Sequence, residues 1–138
     1  MKILRLLLAA LAFSATAASA SAPVAGLWLT DDHKGVVRIG PCGGHVCGWI
    51  VRVLERGPNV PTRDVNNPDA ALRGRPILGM PVLTGFTADG DEFSGGRAYD
   101  PKSGRSYRTT LSVDGSGALN VTGCILFICQ TKVWTRTH

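Results

Sequence analysis

Two aspartates, Asp64 and Asp100, together with Tyr107, are the candidates of this chain for acid–base chemistry. Carboxylates do such work only when a cleft holds them close together and separates their pKa values. Asp100 already has a structural use, because an aspartate in a turn can bond the backbone amides that follow it. Asp64 is the freer of the two. An ion pair with Arg73 or Arg75 would tie its loop down, which explains Asp64 more simply than catalysis does.

The common catalytic and phosphate-binding motifs are absent from the sequence. It has no Gly-x-Ser-x-Gly elbow and no phosphate-binding glycine loop, and its three histidines, His33, His45 and His138, are isolated. We therefore expect no catalytic residue, no metal site and no cofactor. An enzyme that uses Asp64 as acid or base is the third hypothesis for function.

Cysteine occurs only as two pairs of equal spacing, Cys42 with Cys47 and Cys124 with Cys129. In a small exported chain such a set is a disulfide framework, because oxidising compartments let these bonds persist. A four-residue hairpin loop leaves its flanking residues opposite each other and within disulfide reach. This geometry favours local pairing, although crossed pairing would gain more from loop entropy. A zinc site built from the four cysteines is the alternative.

The N-terminus has the order of a secretory signal peptide: two cations, an apolar run at residues 6–13, and small residues at 14–22. The apolar run is shorter than the roughly 20 residues that cross a bilayer, which argues against an uncleaved membrane anchor. We expect no transmembrane segment once the signal peptide is removed. Cleavage after Ala20 is preferred, because cleavage after Ala22 would leave Pro23 at the new N-terminus.

A signal peptide at residues 1–20, or 1–22 with the second cleavage site, leaves a single domain at 21–138. We expect a periplasmic or secreted monomer. The whole chain has a net charge of +5, and two of its cations belong to the signal peptide. Export argues against a nucleic-acid partner, whereas anionic envelope surfaces and acidic ligands remain open.

Short apolar or alternating runs recur along the mature chain between clusters of Gly, Pro, Asp and Asn, which predicts an all-β fold. Eight strands joined mostly by tight turns indicate a single small up-and-down antiparallel β-barrel, whose closure removes exposed edges. The expected strands are residues 26–30, 36–40, 46–54, 81–87, 92–99, 105–113, 118–124 and 129–136.

The clearest hairpin turn lies between Asp100 and Arg105, where Gly104 takes the left-handed position. If Asp100 and Arg105 face each other across the hairpin, then Ala98 faces Tyr107. The same register continues to Gly96 and Thr109.

Alternation along the strand at residues 105–113 places Tyr107, Thr109 and Leu111 on one face, which we expect to line the barrel interior. The adjacent Gly95 and Gly96 would weaken a strand unless they mark a bulge or a barrel corner. Close approach of a ligand is the alternative reason for these glycines.

The connection at residues 55–79 is too long for a hairpin. Asn67 is a plausible N-cap, Pro68 suits the first helical position, and Gly74 ends the turn. A short helix or lid is therefore expected across one barrel mouth. Long ordered loops often carry function, which makes Asp64 and Asn67 candidate ligand contacts.

Between the second pair of cysteines, the hairpin tip is unusually apolar: Ile125, Leu126, Phe127 and Ile128. Hairpin tips normally carry polar turn formers. Covering each of these side chains would be worth roughly 1.5 to 3 kcal/mol. The tip could dock on another protein or a membrane surface, or it could fold over the barrel mouth as a plug.

Trp28 lies in the first predicted strand, and Trp134 and Arg136 lie near the end of the last. In a closed barrel these strands are neighbours, so the guanidinium of Arg136 could cover the indole of Trp28 and seal the closed end. The arrangement resembles the lipocalin and calycin pattern, in which a first-strand Gly-x-Trp packs beneath a late arginine.

A longer series of residues spans essentially the whole mature chain: Gly26-Leu27-Trp28, Cys42, Cys47-Gly48, Asp64, Asn67-Pro68, Gly79, Gly95-Gly96, Tyr99-Asp100-Pro101, Gly104, Tyr107, Leu119, Gly123 and Trp134-Thr135-Arg136. In this order they resemble the bacterial exported family catalogued as domain of unknown function 2147. The resemblance implies a small periplasmic barrel of calycin type with no agreed activity.

Together these patterns predict a non-enzymatic barrel that binds a small apolar or amphiphilic envelope ligand at its mouth. The alternative is a protein-interaction or envelope-stress module that uses residues 125–128 to capture an envelope protein.

Overall fold

The computed structural model describes residues 12–14 and 23–138, so the predicted cleavage sites lie outside the described residues. Eight antiparallel strands form a closed barrel, which confirms the all-β prediction. The strands are β1 Gly26–Leu29, β2 Gly35–Cys42, β3 His45–Val53, β4 Pro81–Asp89, β5 Glu92–Asp100, β6 Arg105–Val113, β7 Leu119–Ile125 and β8 Ile128–Arg136.

Each strand pairs with the next along the chain, and β8 returns to β1. The last pairing is short, because it consists of Trp28 opposite Arg136 and Leu29 opposite Thr135. The N-terminal half of β8 therefore runs past the end of β1. An ion pair between Lys132 and Asp31 (3.1 Å) spans this part of the wall.

The up-and-down order places alternate turns at opposite ends of the barrel. The β1–β2, β3–β4, β5–β6 and β7–β8 connections share the end that we call the mouth end. The other turns, the start of β1 and the end of β8 lie at the opposite end, which we call the closed end. Both cysteine pairs form the predicted local disulfides, with Cα–Cα distances of 5.9 Å for Cys42–Cys47 and 4.1 Å for Cys124–Cys129. The first cross-links a closed-end hairpin and the second a mouth-end hairpin.

The predicted register of the β5–β6 hairpin is confirmed: Asp100 pairs with Arg105, Ala98 with Tyr107 and Gly96 with Thr109. The register shifts between Phe93 and Gly96, where Gly95 has a φ of +75°. A Cβ on Gly96 would lie 2.5 Å from the ring of Phe86, so this position has room only for glycine.

The guanidinium of Arg136 covers Trp28 at the closed end, 4.3 Å from the ring centroid. Arg136 also donates to the carbonyls of Ala25 and Pro23, both at 3.0 Å. The Trp28 indole is fully buried and donates to the Val24 carbonyl at 2.8 Å. These bonds hold the segment before β1 across the closed end.

The β3–β4 connection, residues 54–80, folds as an irregular hairpin whose stem includes a bridge between Arg63 and Pro76. Its helical part is a single 3₁₀ turn, Ala70–Leu72, with Asp69 as its N-cap, which agrees with the short helix predicted for this connection. The prediction that Asn67 is the N-cap was wrong. The side chain of Asn67 instead accepts from the Asp69 amide at 2.8 Å, which delays the start of the turn.

Candidate functional site

A cavity of about 860 Å³ opens at the mouth end of the barrel. Its walls are largely aliphatic, and they include Val37, Ile50, Val82, Leu83 and Val121. Its floor is a packed cluster in the closed half, in which Trp28, Phe86, Leu111 and Leu119 are fully buried. The interior is thus solid toward the closed end and hollow toward the mouth.

Three residues on the predicted inner face of β6 fall at different depths. Tyr107 and Thr109 line the cavity. Leu111 is fully buried and belongs to the packed cluster, because it is the residue of the three closest to the closed end. The hydroxyl of Thr109 donates to the Tyr107 carbonyl at 2.9 Å, so little polarity is exposed at this depth.

Asp64 and Asn67 are buried in the β3–β4 connection and are not among the residues that line the cavity. Their role as ligand contacts stays a prediction. What the structure adds is a network around the carboxylate of Asp64. Asp64 Oδ2 accepts from Asn67 Nδ2 at 2.8 Å and from the Arg75 guanidinium at 3.0 Å, and Oδ1 accepts from the Tyr99 hydroxyl at 2.6 Å.

Electrostatically, this network favours an ionised Asp64 and a neutral Tyr99. Burial by itself raises the pKa of Asp64, but the hydrogen bonds from Tyr99, Asn67 and Arg75 outweigh it and hold the pKa below the ordinary value. Burial and the bond to Asp64 raise the pKa of Tyr99 to about 12. A carboxylate kept ionised by three donors is a poor proton shuttle and a strong structural anchor.

The anchor joins the β3–β4 connection to the barrel wall, because Tyr99 lies on β5 and also lines the cavity. Sequence reasoning missed Tyr99 as a site residue, since alternation with Ala98 places it on the outer face of the strand. Asn66 adds a second attachment: its Nδ2 donates to the carbonyls of Pro101 at 3.2 Å and Lys102 at 3.0 Å.

Gly104 makes this second attachment possible. Its φ of +72° is the left-handed conformation that the turn requires. A Cβ on Gly104 would also overlap the carbonyl oxygen of Asn66. The turn chemistry was visible in the sequence, whereas the contact with the β3–β4 connection was not.

Charged pairs surround the cavity opening: Lys34 with Glu55 (2.9 Å), Lys102 with Asp32 (2.5 Å) and Lys132 with Asp31 (3.1 Å). Partial burial raises the pKa of Asp32, but hydrogen bonds from Lys102, Thr30 and the Lys34 amide outweigh it and lower the pKa to about 2. The rim of the cavity therefore carries both signs of charge at neutral pH.

The apolar tip, residues 125–128, is not folded into the cavity as a plug. Leu126 is 79% exposed and Phe127 92% exposed. Ile125, Leu126 and Ile128 border the cavity opening. The tip thus forms part of the rim and projects its side chains into solvent.

The residues that the structure describes contain no group of three or more His, Cys, Asp or Glu side chains placed to hold a metal ion. All four cysteines are in disulfides, which leaves none of them as a thiolate ligand. Within residues 12–14 and 23–138, no helix is long and apolar enough to cross a membrane.

A closed eight-stranded up-and-down barrel with a mouth cavity, sealed by a tryptophan–arginine stack, is a lipocalin-like fold. The chain belongs to the family described as an uncharacterized protein conserved in bacteria, domain of unknown function 2147, whose model matches residues 26–136. This family and fold are the ones that the sequence predicted.

Among solved structures, the chain is similar to protein HP1028 from Helicobacter pylori, which is described as a member of the lipocalin family. The TM-score is 0.72 at 20% sequence identity, and the match covers 83% of this chain and 82% of the other. At this identity the likeness concerns the fold. Comparison with curated proteins finds no match.

Proposed function

We propose that this protein is a non-enzymatic carrier or sensor in the bacterial envelope that binds one small apolar or amphiphilic molecule in the barrel. The observation that carries the proposal is the mouth cavity of about 860 Å³ with its aliphatic wall. Ligand pockets of this kind have volumes of a few hundred to about 1,000 Å³ and few polar groups. An acyl chain or a similar apolar body would fit.

The distribution of polarity supports an amphiphilic ligand bound tail first. The deep wall is aliphatic, whereas charged side chains of both signs surround the opening. A polar headgroup would stay at the rim and keep its hydrogen bonds, because burying an unpaired polar group is costly. In this pose Tyr107 and Thr109 contact the ligand, Leu111 supports the floor, and Asp64 and Asn67 hold the β3–β4 connection beside the opening.

An envelope location is supported by two disulfides in a chain of a bacterial family, since such bonds persist in oxidising compartments. The predicted signal peptide is the route by which the chain would reach it.

Native mass spectrometry of the gently purified protein, followed by a binding screen with fatty acids and lysophospholipids, tests this function. A Val121→Trp variant places an indole in the cavity and should abolish binding, because Val121 is buried and lines the wall. Asn120→Trp on the same strand faces the other way and is the matched control. A wild-type barrel that takes up no member of the screen would contradict the proposal.

A further inference from the structure

The apolar tip is held open at the mouth end of the barrel. The disulfide Cys124–Cys129 closes its base with a Cα–Cα distance of 4.1 Å, and Leu126 at its apex has a φ of +54°. Because the tip continues the paired strands β7 and β8 and a disulfide closes its base, it cannot fold back over the opening. Its four large apolar side chains are all exposed, by 53% to 92%.

The two ends of the barrel differ in charge. Several arginines in the mouth half form no ion pair within the described part of the chain: Arg56, Arg63, Arg73, Arg105 and Arg108. The closed end carries acids in its turns: Asp89, Asp91, Glu92 and Asp114. The mouth half also holds acids, among them Asp31, Asp32 and Glu55, but these are paired with lysines, so the arginines without an ion pair leave that half with an excess of cations.

One of these cations lies directly beside the tip. Arg108 is the Cα partner of Cys124 across the β6–β7 ladder, and its side chain is exposed. An apolar projection with adjacent cations matches the boundary of an anionic bilayer, where apolar side chains enter the acyl region and cations remain with the headgroups.

We propose that the mouth end of the barrel docks on an anionic phospholipid surface, with Leu126 and Phe127 inserted and the surrounding arginines on the headgroups. The acidic closed end then faces away from the membrane, which orients the molecule. This docking does not depend on a bound ligand. Because Ile125, Leu126 and Ile128 border the cavity, docking also places its opening against the lipid.

The outward projection of the apolar tip favours a lipid surface over a protein partner. The tip carries four neighbouring apolar side chains with no side-chain hydrogen-bonding group, whereas protein interfaces combine apolar anchors with placed polar contacts. A fluid bilayer needs no matching groove.

Vesicle co-sedimentation tests the docking directly. The mature protein should bind vesicles of phosphatidylglycerol and phosphatidylethanolamine, bind far less to phosphatidylcholine vesicles, and be released by added salt. The double variant Leu126→Ser/Phe127→Ser should lose affinity by about tenfold or more, because two inserted side chains are removed. Arg105→Glu/Arg108→Glu should weaken binding to the anionic vesicles alone.

The control is Val133→Ser, which removes an exposed apolar side chain from β8 in the closed half of the barrel and should bind as the wild type does. Circular dichroism melting of each variant verifies the fold. The proposal is overturned if the tip variant binds vesicles like the wild type, or if the wild-type protein stays in solution. It is also overturned if the tip is required for self-association or for capture of a protein while vesicles are ignored.

Discussion

At the scale of single residues, Asp64 is the group that anchors the β3–β4 connection to the barrel wall. It was the best catalytic candidate in the sequence, and the structure surrounds it with Asn67, Arg75 and Tyr99. A buried carboxylate with three donors stabilises only while every partner is present, because an uncompensated buried charge or donor is costly.

Asp64→Asn should lower the free energy of unfolding by about 3 kcal/mol at neutral pH, since the variant leaves Arg75 without its buried anion. The pKa of Asp64 is depressed in the folded state. Its contribution is therefore complete above the unfolded value near 3.8 and is lost as pH falls through the lower folded value. Urea denaturation from neutral to acid pH measures it.

The difference between the wild-type and Asp64→Asn stability curves should shrink below pH 3.8. Asp91→Asn, a change in the exposed β4–β5 turn, is the control and should leave stability nearly unaltered. A difference that stays constant down to low pH would show that Asp64 does not act through its charge.

Tyr99→Phe removes one hydroxyl and leaves Asp64 Oδ1 without its 2.6 Å donor. We expect a loss of about 1 to 2 kcal/mol. The pKa of Tyr99 is about 12 against an ordinary 10.0, so its contribution is present below pH 10 and disappears as pH rises toward 12. Absorbance titration of phenolate should reveal a component near pH 12 that is missing in the variant. A wild-type titration without that late component would refute the network.

At the scale of elements, the glycine pair in β5 sets how closely β5 can approach β4. Gly95 lies at the register shift and Gly96 beneath the ring of Phe86. Both features concern barrel geometry, and they account for the glycines without a ligand.

Gly96→Ala should destabilise the barrel by about 1 to 3 kcal/mol, because the new methyl group meets Phe86 at 2.5 Å. Gly115→Ala is the matched control: no atom lies within 4 Å of its Cβ position, and its φ is not in the left-handed region. Thermal melting of both variants measures the effect. Equal melting temperatures would mean that Phe86 moves aside freely.

At the scale of the whole molecule, the barrel is divided into a solid half and a hollow half. The stack of Arg136 on Trp28 and the packed cluster around Phe86 and Leu119 close one end. The cavity, the β3–β4 connection and the apolar tip share the other. Every candidate for function is thus at one end, which leaves the closed end to supply stability.

Ligand binding should appear as a stability increase of the whole barrel. A ligand at about 100 times its Kd adds about 2.7 kcal/mol to the free energy of unfolding if it binds only the folded state. We expect fatty acids that bind the wild type to raise its melting temperature and to leave that of Val121→Trp unchanged. The same increase in both proteins would place the ligand outside the cavity.

Much of the fold was open to prediction from the sequence. Strand bounds agree with the structure within about two residues, the β5–β6 register is as predicted, and both disulfides are local. These features follow from alternation, turn chemistry and short loops, which act between residues close together in the chain.

Other features were decided only by the tertiary structure. The partner of Asp64 on the barrel wall is Tyr99, 35 residues away. Leu111 belongs to the packed cluster and does not line the cavity, which depends on how far that cluster extends along the barrel. The opposite positions of the two disulfides follow from the number of strands between them. Such relations arise from barrel closure and from docking of the β3–β4 connection, and no local pattern in the chain encodes them.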